Sequence, residues 1–451
     1  MITKAIRLYG KNNLRLDTFE LSPTGDDGIL AKVVSDSICM SSYKAAVQGP
    51  EHKRVPDDCA VNPIIIGHEF CGEIIEVGAK WRHLFSPGER FAIQPAMNDP
   101  ENVHAAPGYS FGEVGGDATY VRIPSIVMER DCLLKFEGSS FFRGSLAEPI
   151  SCIVGAYNVN YHFVPNSYEH IMGIVPGGHA AILAGVGPMG LGAIDHALHI
   201  EPRPSLLVVT DIDQARLDRA ARIFTVGHAR SQGVDLHFVN TAGISDVPAL
   251  LRSLTPDGRG YDDVFVMAPV RAVVEQGVKI LGYDGCLNFF AGPTDPNFSA
   301  EFNFYDLHYN RTHVAGNSGG TNQDLVESLD YLARGLLDPA YMVTHIGGLD
   351  AVIDTTLRQP EIKGGKKLIY THKRLPLIGL DELEKVARNG RPTINPPPIT
   401  DNTSGADAPV LSSKTRELLT DLAAIIRSNN GLWSYTAEAV FLDRAPSIWD
   451  N

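Results

Sequence analysis

Short apolar or alternating runs, separated by turn signals, fill the first third of the chain. Ile29-Leu30-Ala31-Lys32-Val33-Val34, Gly72-Glu73-Ile74-Ile75-Glu76-Val77 and Arg90-Phe91-Ala92-Ile93-Gln94 read as strands, bounded by Thr24-Gly25-Asp26-Asp27-Gly28, Gly78 and Ser86-Pro87-Gly88-Glu89. Many short strands at close spacing predict a small barrel-like β domain over residues 1–155. After about residue 175 the pattern changes. Ala180–Ala184, Leu206–Thr210, Tyr261–Met267 and Gly285–Phe290 are continuous buried-strand runs. Helical patterns through Leu198, from Gln214 to Phe224 and from Ala272 to Leu281 separate them. Strands alternating with helices predict βαβ units and a parallel sheet over 156–310. Strand character returns near 340–373, as in Lys367-Leu368-Ile369-Tyr370, so 311–375 is expected to rejoin the first domain. Residues 391–410 are rich in Pro, Asn, Thr and Asp and read as a stiff connector. Beyond them Leu418, Leu419, Leu422, Ile425 and Ile426 recur at helical spacing, with Ser413 as N-cap and Gly431 as stop. A second helix is expected from Thr436 to Ala445. Residues 376–451 thus form a linker and helical extension, expected to pack on the body or on a partner subunit.

One turn in the alternating region carries chemistry. Gly185-Val186-Gly187-Pro188-Met189-Gly190 follows a predicted strand and opens a predicted helix, and Asp211 ends the next strand. Glycines there let the backbone turn tightly against a pyrophosphate, which the helix N-terminus binds through its free N–H groups. Gly185, Gly187, Pro188, Met189 and Gly190 are therefore candidate dinucleotide contacts. Asp211 would accept from the adenosine ribose hydroxyls and repel a 2′-phosphate, which favours NAD(H). Arg216 lies near enough to admit NADP(H).

Composition narrows the class. Of 451 residues, 44% are hydrophobic and 20% charged, as in ordinary globular proteins. The formal charge of −14 lacks the basic footprint of a nucleic-acid or anionic-membrane binder. No run is long and apolar enough to span a membrane. Arg7, Lys11 and Arg15 interrupt any signal-like segment at the start. Six cysteines without a C-x-x-C pair make neither a disulfide framework nor a four-cysteine zinc knuckle. A reducing cytoplasm is the expected setting.

His68 and Glu69 stand side by side in Ile66-Gly67-His68-Glu69-Phe70-Cys71-Gly72, with Cys39 upstream and Glu148 downstream in Leu146-Ala147-Glu148-Pro149. Thiolate, imidazole and carboxylate are good zinc ligands, and three of them with an open position make a catalytic site. Spacing alone does not establish such a site. The other five cysteines read as packing residues. These residues, with the glycine loop and Gly115-Gly116-Asp117-Ala118-Thr119-Tyr120, resemble the zinc-dependent medium-chain alcohol and polyol dehydrogenases over roughly residues 1–375. Glu148-Pro149 resembles the polyol branch.

The resemblance implies an α/β protein with a GroES-like β domain, a Rossmann doubly wound sheet and one catalytic zinc. The metal set would be Cys39, His68 and Glu148, with Glu69 either on the metal or hydrogen-bonded behind it. No cysteine lies between Gln94 and Gly115, so the family's second, structural zinc is not expected. Two departures matter: Ser42 stands where the family has an Asp that holds the zinc histidine, and Lys44 where it often has a relay histidine. Ser41, Lys44 and Glu69 are the catalytic candidates, Ser41 and Lys44 for passing a proton. The expected site is a cleft between the two domains, and the family implies a homodimer or homotetramer. Stretches such as Pro63–Ile74, Gly285–Pro293 and Asn303–Tyr309 resemble members acting on ketose phosphates. They imply reduction of a ketose 1-phosphate to a hexitol phosphate (L-sorbose 1-phosphate to D-glucitol 6-phosphate), with unphosphorylated polyols as the alternative. A phosphate needs a basic contact; the candidates are Lys44, His52-Lys53-Arg54, Arg143, Arg311 and Lys366.

Overall fold

In the computed structural model residues 1–392 and 410–450 are described; the predicted connector falls almost wholly outside them. The chain forms two units: Met1–Glu148 with Leu332–Arg334 and Pro339–Asn451, and Pro149–Tyr331 with Gly335–Asp338.

The first unit is built on a mainly antiparallel sheet whose central strand is Ile29–Ile38. Phe70–Val77 and Tyr120–Ile123 pair with its first half, and Lys366–Tyr370 with its second. All but one of its ten residues are buried, which explains why the sequence reads apolar without alternation. Register shifts between Leu30 and Ala31 and between Val33 and Ser35 bend the strand. Ile29, Ala31, Val33, Phe70, Ile74 and Phe91 anchor the core beneath it.

The end of the chain belongs to this unit. Helices Ser413–Ser428 and Tyr435–Arg444 and the turn between them bury Leu418, Leu419, Leu422, Ile426, Trp433 and Phe441 in one cluster with Phe142, Leu146, Leu368 and Tyr370. The first helix is capped by Ser412, not by the predicted Ser413: Ser412 Oγ accepts from the Thr415 N–H at 3.1 Å.

The second unit contains a six-stranded parallel sheet in the order Asp235–Asn240, Leu206–Asp211, His179–Leu183, Tyr261–Val266, Leu281–Phe289, His313–Ala315. Numbered along the chain this is 3-2-1-4-5-6, the dinucleotide-binding order with its reversal beside His179–Leu183. Ala181, Leu183, Val208, Val264, Val266 and Leu287 form the core on one face. The sixth strand pairs with Leu281–Phe289, so the chain is still in this sheet at residue 315, later than the predicted exit at 310. No helix among the described residues is long and apolar enough to cross a membrane.

Candidate active site

The site residues of the first unit meet where the central strand ends. Cys39 follows Ile38 directly and caps helix Met40–Gln48. The next contributor is the turn before strand Phe70–Val77. Gly67 holds φ at +92°, and a Cβ there would lie 2.4 Å from Asp36 Oδ2, so only glycine fits and His68 is turned inward. Ligand atoms of Cys39, His68 and Glu69 all lie within 4.8 Å of one another.

His68 is held at both ring nitrogens: Ser42 Oγ is 3.3 Å from Nδ1 and the Tyr109 hydroxyl 3.2 Å from Nε2. The predicted departure at Ser42 therefore keeps the contact at the same chain position with a shorter side chain. Burial, aided by the charges of Lys366 and Arg54 and opposed by Glu69, brings His68 down to about 4; the ring is a neutral ligand at pH 7. Burial pushes the Cys39 thiol up to about 11, with Glu69 and Glu148 adding to the effect and Lys366 opposing it.

Glu69 is buried and carries a counter-ion. Burial opposes its charge, but Lys366, His68 and hydrogen bonds from Lys366 Nζ and Ser37 Oγ outweigh this and hold the carboxyl below its usual range. Lys366 is correspondingly raised, again against burial, chiefly by Glu69. Lys366 thus drops out of the phosphate candidates: its ammonium is buried and faces Glu69. Behind the turn, Asp36 Oδ1 accepts from the Glu69 N–H at 3.1 Å.

Glu148 opens helix Ala147–Val159. It is not one of the three tightly grouped ligands, but its charge acts on Cys39, Tyr109 and Lys366. The donor set fits zinc. A metal would take Cys39 as the thiolate; with Glu69 and Glu148 as carboxylates and Lys366 protonated the ligand set would then carry two net negative charges, which a dication neutralises. Ser41 Oγ lies 3.8 Å from Cys39 Sγ. Lys44 is on the same helix, half-buried.

Tyr109 and the pairing role of Lys366 are absent from the sequence reading. Tyr109 is buried in the segment where a structural-zinc lobe was looked for, and nothing in its surroundings there marks it. Of the other basic candidates, Arg54 lies over the Tyr109 ring at 5.1 Å and His52 stacks on it at 5.8 Å. Arg143 lies beside Phe142. Arg311 belongs to the second unit, 4.1 Å over Phe163.

In the second unit Gly185–Gly190 forms the predicted turn and Pro188 starts helix Pro188–His199. A Cβ on Gly190 would lie 2.2 Å from Gly185 O, so the helix packs against the strand only through glycine. Asp211 ends its strand, with Oδ1 accepting from the N–H groups of Ile212 (2.8 Å) and Asp213 (3.1 Å). Arg216 reaches it at 4.0 Å, and its guanidinium is 3.5 Å from where a Cβ on Gly187 would stand. A further histidine–carboxylate group there, His162, Asp284 and His313, bonds to backbone carbonyls: His162 Nδ1 to Asp284 O and His313 Nδ1 to Arg311 O, both at 2.9 Å.

A β unit bearing a Cys–His–Glu cluster and a parallel sheet with a glycine turn define an oxidoreductase acting on CH–OH groups, and the chain belongs to the zinc-dependent medium-chain dehydrogenase/reductase family. Residues 25–130 match the alcohol dehydrogenase GroES-like domain. The L-sorbose 1-phosphate reductase of Klebsiella pneumoniae is 47% identical over 447 residues, covering 99% of this chain and 98% of that protein. The mannitol-1-phosphate 5-dehydrogenase of Aliivibrio fischeri is 44% identical over 441 residues, 98% of this chain and 97% of that one. The crystal structure of 2R,3R-butanediol dehydrogenase from Bacillus subtilis shares the fold, with a TM-score of 0.64 at 22% identity, covering 82% of this chain and 99% of that chain.

Proposed function

We propose that the protein is a zinc- and NAD(P)(H)-dependent reductase of a ketose 1-phosphate, yielding a hexitol phosphate, with L-sorbose 1-phosphate to D-glucitol 6-phosphate as the reaction, reversible as hydride transfer is. The observation that carries this is the near full-length 47% identity to an L-sorbose 1-phosphate reductase. The alternative, oxidation of unphosphorylated polyols, has support in a 24% identical sorbitol dehydrogenase of Bacillus subtilis.

Cys39, His68 and one or both of Glu69 and Glu148 would hold one zinc per chain, which when bound supplies Lewis acidity at the substrate oxygen while the nicotinamide supplies hydride. The chain's own groups do the rest. Ser42 fixes the His68 ring. Lys366 and Ser37 keep Glu69 ionised in a buried place. The Ser41 hydroxyl beside Cys39 and the Tyr109 hydroxyl on His68 hold protons next to the ligands, with Lys44 on the same helix as Ser41. The glycine turn and the start of helix Pro188–His199 bind the pyrophosphate. Asp211 selects the ribose hydroxyls of NAD(H), and Arg216 is the group that would tolerate a 2′-phosphate. The family's habit of dimers or tetramers extends to this chain in the same reading.

A panel of ketose 1-phosphates, ketoses and polyols, run with NADH and NADPH on zinc-loaded and chelated protein, tests this. Metal-dependent reduction of the phosphate ester, with about one zinc per chain, is expected. Equal kcat/KM for the ester and the plain ketose would favour the alternative.

A further inference from the structure

In a chain of formal charge −14, three neighbouring cations have no carboxylate partner among the described residues: Lys44, Lys53 and Arg54. The charges of all three act on His52 and, after burial, bring that imidazole down to about 4. The segment is built rather than loose. Ser110 Oγ donates to the Arg54 carbonyl at 2.7 Å, and the Arg54 N–H donates to His52 Nδ1 at 3.3 Å. His52 lies parallel to the Tyr109 ring, with 8° between the planes. Arg54 is directed at the metal-ligand cluster: its guanidinium is 5.1 Å from the Tyr109 ring centre, and the Tyr109 hydroxyl is 3.2 Å from His68 Nε2. Its charge acts on both His68 and Tyr109.

We propose that Arg54, with Lys44 and Lys53 beside it, binds the phosphate monoester of the substrate while the substrate's carbonyl faces the Cys39–His68–Glu69 cluster. This rests on the function proposed above. A phosphate monoester carries close to two negative charges at pH 7 and offers three acceptor oxygens. A guanidinium meets two of them with parallel N–H groups, and an arginine stacked on an aromatic ring is already oriented. Unpaired cations are otherwise a cost to the fold, since they repel one another.

The test compares kcat/KM for a ketose 1-phosphate and for the same ketose unphosphorylated, in wild type, Arg54→Ala and Arg54→Lys. Inorganic phosphate is used as a second probe, both as a competitive inhibitor and in thermal melts without substrate. Arg54→Ala should lower the preference for the ester about 10- to 100-fold and weaken phosphate inhibition by a similar factor, as expected for one lost charge-assisted pair. Arg54→Lys, which keeps the charge and loses the fork, should lie between. Zinc content and melting midpoint report whether each variant is folded. The inference is overturned if folded variants keep the wild-type preference and phosphate affinity within about twofold. The two readings fail separately. A wild type with no ester preference, but with Arg54-dependent phosphate protection, overturns the substrate and keeps the anion site. Absence of any Arg54-dependent phosphate effect overturns the site.

Discussion

Glu438 offers the sharpest test of how the end of the chain supports the site. It lies on the last helix and is 2% exposed, yet it is a carboxyl. It accepts from the N–H groups of Phe141 and Phe142, both at 2.8 Å, and from the Tyr370 hydroxyl at 3.0 Å; Trp433 Nε1 donates to that hydroxyl at 2.8 Å. Phe141 and Phe142 open helix Phe141–Ser145, whose own N-cap, Ser140, makes no capping bond. A side chain almost 300 residues downstream therefore caps the turn that leads into Glu148. Burial raises Glu438 from 4.5 to about 7, although its three donors oppose the rise. A carboxyl raised on folding keeps its proton longer in the folded state. Its contribution is most favourable below about pH 4.5 and is lost as pH climbs towards 7, by about 3 kcal/mol in total. Glu438→Gln cannot titrate and its single amide oxygen can still accept one of the two helix N–H groups, so whatever its cost at pH 5, its stability relative to wild type should improve by up to about 3 kcal/mol between pH 5 and pH 8. Glu438→Ala strands two helix N–H groups and should cost about 3–5 kcal/mol at pH 5; it cannot titrate either, so that cost should shrink by up to about 3 kcal/mol at pH 8. Urea unfolding of the three proteins at the two pH values decides. A Gln variant that tracks the wild-type pH slope within about 0.5 kcal/mol, or an Ala variant costing under about 1 kcal/mol at pH 5, would refute the reasoning.

Two further outcomes follow from the site. Lys366→Met leaves Glu69 ionised and buried without its counter-ion. The chelated protein should lose about 3–5 kcal/mol, and the zinc-loaded protein less, because a dication replaces the lost charge; melting with and without chelator reads this. Asp211→Ala removes the carboxylate that repels a 2′-phosphate, so the ratio of kcat/KM for NADH over NADPH should fall at least about tenfold, while Arg216→Ala should raise it.

The parts of the fold legible in the sequence are those where burial is one-dimensional. Ala180–Ala184 and Leu206–Thr210 read as strands because parallel strands covered on both faces are apolar without interruption, and the structure shifts their ends by a residue. Asp235–Asn240 escaped notice because it carries Asp, His and Asn and has only one fully buried residue. Helix Ala147–Val159 was hidden for the opposite reason. It is apolar nearly all round, with Ile150, Ile153, Val154, Ala156 and Tyr157 buried, and shows no polar face from which a period could be read. In the extension both helices are visible, since each keeps an exposed face. What the pattern does not contain is that Glu438, on the second of them, points inward.

The same distinction separates the legible from the illegible parts of the site. Cys39, His68 and Glu69 could be picked out through the family resemblance, and for His68 and Glu69 the backbone requirement of their turn, the positive φ of Gly67, is written in the adjacent residue. Lys366 could not be read this way, for its role is decided by register. Lys367 pairs with Ile38 across antiparallel strands, so one further step places Lys366 beside Cys39, at the end of the central strand. The charge that makes the metal cluster neutralisable by a dication is thus set by strand pairing between residues more than 300 positions apart, which no local motif records. Basic residues in a sequence are ambiguous until their partners are known: Lys366 has its partner in Glu69, whereas Arg54 and Lys44 have no carboxylate partner among the described residues, and that difference is what makes them, unlike Lys366, candidates to meet a ligand.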